Sequence, residues 1–403
     1  MSDFFQNGVI STLHRLTDRP IEDLEAELVA ISKTNPMSLL LPSLFSELEG
    51  PALANIVEEL KDVPYLSQII IGLDRADKEQ FEYARKYFSK LPQNFKILWN
   101  DGPRLRALDK ELEAEGLSPK EMGKGRNVWY CLGYFIASKQ AETIALHDCD
   151  ITTYKRDMLA RLIYPVANPT FGYKFCKGYY YRAAGGKLNG RVSRLLVTPL
   201  VRALKQIFGY NDYLEYIDSF RYPLAGEFCM QQDVVKTIRI PSDWGLEIGV
   251  LSEVHRNYST NRICQVEVAD AYDHKHQDLS LQDQQKGLSK MSVDISKSFF
   301  RKLATQGLII TPELIRTLKA TYYRLGLDFI EQYHNDAQMN GLKLDRHNEE
   351  LAVEMFAQNI IKSGEIFMEN PHEVPFIPCW NRVISAIPDF MEQFKQAVEE
   401  DNA

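Results

Sequence analysis

Asp148 and Asp150, one residue apart at the end of the apolar run Thr143-Ile144-Ala145-Leu146-His147, are the side chains of this sequence best suited to holding a hard cation. Two carboxylates that close repel each other unless something positive sits between them. Mg²⁺ or Mn²⁺ takes one or two carboxylates together with phosphate oxygens and water. An isolated D-x-D also reads as two solvated loop acids or a helix cap, and its place after a buried strand is what favours the metal. Gly123-Lys124-Gly125-Arg126-Asn127 adds glycine flexibility, two cations and a helix start, suited to a diphosphate, although an ordinary glycine turn carries the same letters. Asn189-Gly190-Arg191-Val192-Ser193 opens a long apolar helix with free N–H groups, a guanidinium and a hydroxyl, either an anion site or a plain cap. Asp273-His274-Lys275-His276-Gln277 presents two imidazoles, a polar surface loop or the completion of a metal shell begun at Asp148 and Asp150. Glu227 in Leu224-Ala225-Gly226-Glu227 and Glu247 in Gly245-Leu246-Glu247-Ile248-Gly249 stand in apolar surroundings where a carboxylate needs a partner. Sugar hydroxyls would serve, as would backbone amides or an arginine. The Walker pattern is absent, because Leu188 follows Gly185-Gly186-Lys187 where a hydroxyl should stand.

Positioning these residues requires a particular arrangement of elements. Ser38 to Leu41, Gln68 to Leu73, Phe95 to Trp99 and Thr143 to His147 read as buried strands, with helices at Pro51 to Leu60, Lys78 to Phe88 and Arg126 to Ala137 between them. Strands separated by helices of that length need crossover connections, so the sheet should be mostly parallel, with ligands at the carboxyl ends of its strands. Strand-like segments at Thr170 to Arg182 and Arg262 to Ala269 flank a helix from Val192 to Phe208 and make up the second half of this α/β unit. Before the sheet, Asp18 reads as the cap of an amphipathic helix from Pro20 to Ile31. After residue 284 the pattern is helical, with Thr311-Pro312-Glu313 as a helix start. The expected division is an N-terminal helical appendage over 1–36, an α/β catalytic domain over 37–283 and a helical region over 284–403.

The 403 residues, 45% hydrophobic and 25% charged, suffice for a large core plus a second unit. A net charge of −8 lacks the basic footprint of a general nucleic-acid binder. No apolar run is long enough to span a bilayer, no signal-peptide pattern opens the chain, and the six cysteines have no CxxC spacing, so they read as free thiols in a reducing compartment. A cytoplasmic protein without membrane or nucleic-acid partners is expected.

Taken in order from about Leu39 to Leu279, these segments resemble the glucosyl-3-phosphoglycerate synthases, retaining glycosyltransferases of the GT-A fold. The loop Met122-Gly123-Lys124-Gly125-Arg126-Asn127-Val128-Trp129 is similar to the family's P-G-K-G-E-A-L-W, and Asp148-Cys149-Asp150 to its D-S-D. Lys177-Gly178-Tyr179-Tyr180 resembles K-G-F-Y and Gly190-Arg191-Val192-Ser193 resembles G-R-V-T. Leu224-Ala225-Gly226-Glu227-Phe228 is similar to L-x-G-E-Y, and Gly245 to Leu251 to G-V-E-I-G-L-L. At the first strand Leu41-Pro42-Ser43-Leu44-Phe45-Ser46-Glu47 replaces P-A-L-N-E-E, departing at Phe45 and Ser46. The second strand leads into Gly72-Leu73-Asp74-Arg75 rather than a serine- and aspartate-rich turn.

The resemblance implies transfer of glucose from a nucleoside diphosphate glucose, UDP-glucose foremost, to the 2-hydroxyl of 3-phosphoglycerate, with Mg²⁺ or Mn²⁺ as cofactor. It implies catalytic roles for Glu247, Asp150 and Lys124, and donor binding by Pro42, Leu44, Glu47, Asp74, Lys124, Asp148, Glu227 and Glu247. Gly190, Arg191 and Ser193 would bind the acceptor, and Asp150 and His274 the metal. His274 rests on a one-residue insertion after Gln265-Val266, with His276 as the alternative. A homodimer is expected from the resemblance and from apolar tail positions such as Phe356, Ile360, Ile361 and Phe367. The rivals are a mannosyl- or glucosyltransferase acting on glycerate, a mannosyl-3-phosphoglycerate synthase-like enzyme, a sugar-phosphate nucleotidyltransferase, which lacks here its usual glycine-rich loop beside the first strand, and a non-catalytic interaction protein.

Overall fold

The computed structural model describes residues 6, 8–119, 121–242, 244–274, 287–371 and 376–403. Its strands in chain order are β1 (Ser11–Leu13), β2 (Met37–Leu44), β3 (Leu66–Asp74), β4 (Phe95–Trp99), β5 (Thr143–Leu146), β6 (Phe175–Tyr180), β7 (Ala183–Ala184), β8 (Lys187–Leu188), β9 (Phe228–Gln231), β10 (Ile240–Pro241), β11 (Ile263–Ala269) and β12 (Phe376–Ile377). Eight of them form one sheet in the order β1-β11-β6-β9-β5-β2-β3-β4, while β7 with β8 and β10 with β12 make small ribbons. Every neighbouring pair in the sheet is parallel except those of β9, which lies antiparallel between β5 and β6.

The near-continuous apolar runs of β2 and β3 follow from burial on both faces. Leu39, Leu41, Ile69 and Ile71 turn to a core shared with helices Pro51–Lys61, Lys78–Phe88 and Arg156–Ala167. Leu40, Ile70 and Leu98 turn the other way, to helix Lys124–Ser138 and to the C-terminal helices through Phe299, Phe356, Trp380 and Phe394. One continuous core therefore joins the sheet to the region after 284. Phe356, Ile360 and Phe367 belong to that core and Ile361 packs against it, so these positions supply no exposed apolar face for a dimer.

Several expected boundaries move. The segment 1–36 contains, besides helix Ile21–Ser32, the edge strand β1 paired with β11. Asp18 is not the cap of that helix; Pro20 holds the cap position, with no side-chain hydrogen bond. The stretch from Val192 is a π-helix, Val192–Val197, before the α-helix Thr198–Phe208, and no side chain caps its start at Arg191. Thr311 does cap helix Pro312–Met339, its Oγ1 accepting from the Leu314 N–H at 3.2 Å.

The sheet's outer strand β4 has its free side covered by helix Phe390–Asp401 and the residue after it. The Asn402 amide donates to the Ile97 carbonyl at 2.8 Å and its oxygen accepts the Ile97 N–H at 2.9 Å, so one side chain imitates a neighbouring strand. Lys96–Glu399 and Arg104–Glu400 ion pairs flank this contact.

Candidate active site

Parallel pairing puts the ends of β2, β3 and β5 on one rim, with Leu44 in register with Asp74. Pro42 and Leu44 close β2, and Glu47 follows in the 3₁₀ turn Phe45–Glu49. Asp74, buried at the end of β3, accepts from the Asn100 amide at 2.6 Å, and burial pushes its carboxyl above the ordinary range.

Beyond β5 the chain carries Asp148 and Asp150. Lys124, the first residue of helix Lys124–Ser138, reaches Asp148 at 2.7 Å and Glu247 at 3.2 Å, and these two carboxylates outweigh burial to raise the ammonium's pKa. Close approach makes the surrounding glycines necessary. A Cβ on Gly125 would lie 2.0 Å from the Pro241 carbonyl oxygen, and one on Gly226 would lie 2.1 Å from Asp148 Oδ2.

Antiparallel β9 brings Glu227 here. Phe228 pairs with Leu146, so the residue before β9 stands beside the residue after β5. Glu227 is fully buried and accepts from the hydroxyls of Tyr180 at 2.8 Å and Tyr272 at 2.7 Å, whose rings stack with centroids 3.5 Å apart. The segment after β11 crosses back toward β5, bridging Ile151 with His274 in antiparallel fashion, and the Thr152 N–H donates to the Asp273 carbonyl at 2.9 Å. His274 Nδ1 comes to 3.7 Å from Asp150 Oδ2, while its Nε2 accepts from Arg182 Nη1. His276 lies outside the described residues.

Asp150 is pushed up to about 7, first by burial and then by Asp148, with Glu47 and Glu227 adding to the effect. Asp148, Asp150, Glu227 and Glu247 outnumber the two ammonium groups among them, Lys124 and the buried Lys177, and a divalent cation would offset the excess, so these residues fit one. Among the described residues no three His, Cys, Asp or Glu side chains form a ready-made cage. An ion that keeps water and phosphate oxygens as ligands needs only one or two from the protein.

On the far side of Arg182 lies the loop to Ser193. Gly190 has φ +78°, in the left-handed region, with Arg182 and Tyr222 packed against its Cα. Arg191 Nε donates to Glu349 Oε1 at 2.7 Å, and Ser193 is buried. The structure thus brings Lys124, Asp148, Glu247, Asp150, His274 and Glu227 together, sets Pro42, Leu44, Glu47 and Asp74 along the adjoining rim, and places Gly190, Arg191 and Ser193 beyond Arg182. Tyr272, Arg182 and Glu349 were not singled out from the sequence, and Tyr180 entered only within the Lys177-Gly178-Tyr179-Tyr180 motif, without a role. A cavity of about 490 Å³ between β1 and helices Ile21–Ser32 and Arg156–Ala167 contains none of the candidates, and its Arg15, Arg19 and Arg156 are ion-paired with Asp157, Glu27 and Glu22.

The glucosyl-3-phosphoglycerate synthase of Persephonella marina is 48% identical over 403 residues, all of both chains, and that of Methanococcoides burtonii is 39% identical over 400 residues, 98% of this chain and 97% of that one. The chain belongs to the glucosyl-3-phosphoglycerate synthases. Like the family, it is a glycosyltransferase. No family model matches the chain. A solved glucosyl-3-phosphoglycerate synthase from Mycobacterium tuberculosis, in complex with Mn²⁺, uridine-diphosphate-glucose and phosphoglyceric acid, is 19% identical with a TM-score of 0.54, covering 73% of this chain and 87% of that one. That likeness, with the sheet order above, gives this synthase the GT-A fold. Among the described residues of this synthase no helix is long and apolar enough to cross a membrane.

Proposed function

We propose that this chain moves glucose from UDP-glucose to the 2-hydroxyl of 3-phosphoglycerate with retention at the anomeric carbon, and that Lys124, held between Asp148 and Glu247, marks the point of transfer. The reading is supported by the full-length relatives and by the ligands in the Mycobacterium tuberculosis complex.

The rim of Pro42, Leu44, Glu47 and Asp74 receives the nucleoside, and Asp148 the ribose. Lys124 faces the diphosphate, where a fixed cation stabilises charge that develops as the sugar departs. Asp150 and His274 hold the divalent metal, Mg²⁺ or Mn²⁺, which supplies further charge neutralisation at the leaving diphosphate. Glu227 and Glu247 accept hydrogen bonds from glucose hydroxyls. Both oxygens of Glu227 already accept from tyrosines and Glu247 is paired with Lys124, which makes each a poor nucleophile and favours displacement from the face the diphosphate leaves. Gly190, Arg191 and Ser193 take the phosphate of the acceptor, a guanidinium being well matched to it. A cytoplasmic location goes with this reading, since all six cysteines are free. A homodimer goes with it too, on the resemblance alone; light scattering that returns a particle of 46.4 kDa at every concentration would remove it.

The deciding experiment incubates the purified protein with UDP-, GDP- or ADP-glucose or GDP-mannose, with and without Mg²⁺ or Mn²⁺, against glycerate and 3-phosphoglycerate, and identifies products by mass. Glucosyl-3-phosphoglycerate formed only with metal is the expected result. Product from glycerate at equal efficiency would overturn the acceptor assignment.

A further inference from the structure

We propose that the C-terminal helical region supplies the back wall of the acceptor site and that Glu349 is its positioning residue, holding Arg191 and Arg194 in place to meet the acceptor's phosphate. The inference rests on the acceptor reading above and goes beyond it by giving part of residues 284–403 a task.

Arg191 and Arg194 reach the same carboxylate from the start of one helical stretch, so their like charges stand close together and repel. Glu349, on helix Arg346–Glu369, answers both. Its Oε1 accepts from Arg191 Nε at 2.7 Å and its Oε2 from Arg194 Nη1 at 2.9 Å, with the side chain 2% exposed. One negative charge against two positive ones leaves a net positive charge, which suits a phosphate. The bond to Glu349 occupies Nε of Arg191, whose side chain remains about one-third exposed at 32%.

A second observation is independent of that ion pair. Arg194 Nη2 and Ser193 Oγ are buried polar atoms with no hydrogen-bond partner among the described residues, on side chains of residues only 7% and 4% exposed. Unpaired buried donors are costly, and an anion's oxygens would satisfy them. Arg194 is fixed further by its Nε bond to the Asn189 carbonyl at 2.7 Å and by the Tyr333 ring of helix Pro312–Met339, 4.8 Å away. The same C-terminal segment grips the loop's other arm. The Lys343 N–H donates to the Gly186 carbonyl at 2.8 Å, and the Leu188 N–H to the Lys343 carbonyl at 3.3 Å, so the β7–β8 ribbon is pinned by backbone.

Kinetics of Glu349→Gln, Glu349→Asp and Arg191→Ala in the full chain test the proposal, with circular dichroism to confirm folding. Glu349→Gln keeps shape and loses charge, and should raise KM for 3-phosphoglycerate about tenfold while kcat and KM for UDP-glucose stay within about twofold. Glu349→Asp keeps the charge but draws it back by one methylene from the 2.7 and 2.9 Å contacts, and should raise the same KM severalfold, less than Glu349→Gln does. An unchanged or lowered KM for 3-phosphoglycerate in folded Glu349→Gln would overturn the proposal, the lowered value meaning that Glu349 competes with the phosphate. Should Glu349→Gln not fold, Glu349→Asp decides: a severalfold rise in acceptor KM alone supports the role, and wild-type kinetics refute it. Arg191→Ala separates the two levels of the argument. If its acceptor KM is unchanged, the acceptor reading itself fails; if it rises roughly ten- to a hundredfold while the folded Glu349 variants behave as wild type, only the positioning role fails.

Discussion

At Asp150 burial and the neighbouring Asp148 act in the same direction, holding the carboxyl near half-protonation at about pH 7 in the metal-free protein. The ionised form is therefore disfavoured by the fold, and removing it relieves the repulsion from Asp148 while giving up the 3.7 Å contact with His274. Asp150→Ala should abolish transfer while leaving the metal-free unfolding temperature unchanged or higher. Normal turnover of this variant in metal-buffered solution would refute the role. His147 is the opposite case. Fully buried, with neither ring nitrogen hydrogen-bonded among the described residues, it is pushed down to about 3 by burial, which outweighs the opposing pull of Asp148. Its folded pKa lies below the ordinary value of about 6.5, so the unfolded chain binds the extra proton first. Stability is full above about pH 6.5 and falls toward about pH 3, by up to about 1.4 kcal/mol per pH unit from this group. His147→Leu should flatten the pH dependence of the denaturation midpoint between pH 6 and 4; an unchanged slope would mean that His147 is protonated at little cost. Asp148, Asp150 and Lys124 were legible because each belongs to a local pattern of charge, glycine and strand end. Tyr180 and Tyr272 were not, since nothing in their own neighbourhoods shows that both hydroxyls meet one distant carboxylate.

Elements were readable where a single periodicity governed them. Phe95–Trp99 and Lys78–Phe88 fall where apolar spacing places them. β9 escaped notice because a four-residue strand has too short a pattern, and its direction is a property of its neighbours rather than of its residues. That direction carries Glu227 to the rim. The helix Lys124–Ser138 shows how tightly the elements fit: Trp129 stacks on Trp380 at 4.0 Å, and a Cβ on Gly133 would lie 2.1 Å from the Trp380 ring. Gly133→Ala gains helix propensity but overpacks this contact, so a net destabilisation of about 1–3 kcal/mol is expected in urea unfolding. A neutral or stabilising result would mean that the indole shifts freely. Sequence reasoning could not have shown this, because Gly133 and Trp380 are far apart along the chain.

For the whole molecule, the expected separation near residue 284 gives way to a shared core, since Phe299, Phe356 and Trp380 lie in one cluster with Leu40 and Ile70. Helical periodicity announced the tail's secondary structure but could not reveal which surface it covers. Asn402 stands at the far end of that cover. Replacing it with alanine should leave the Ile97 N–H and C=O unpaired, costing about 1–3 kcal/mol, and should speed hydrogen exchange of the Ile97 amide. Exchange as slow as in the wild type would show that another group seals the strand. Ile97 and Asn402 are 305 residues apart. A ribosome adding roughly 5–20 residues per second leaves β4 without this partner for about fifteen seconds to a minute after it has emerged. Nascent chains of this enzyme on one polysome therefore carry matching open edges side by side, and their safe passage depends on whatever shields those edges before residue 402 is made.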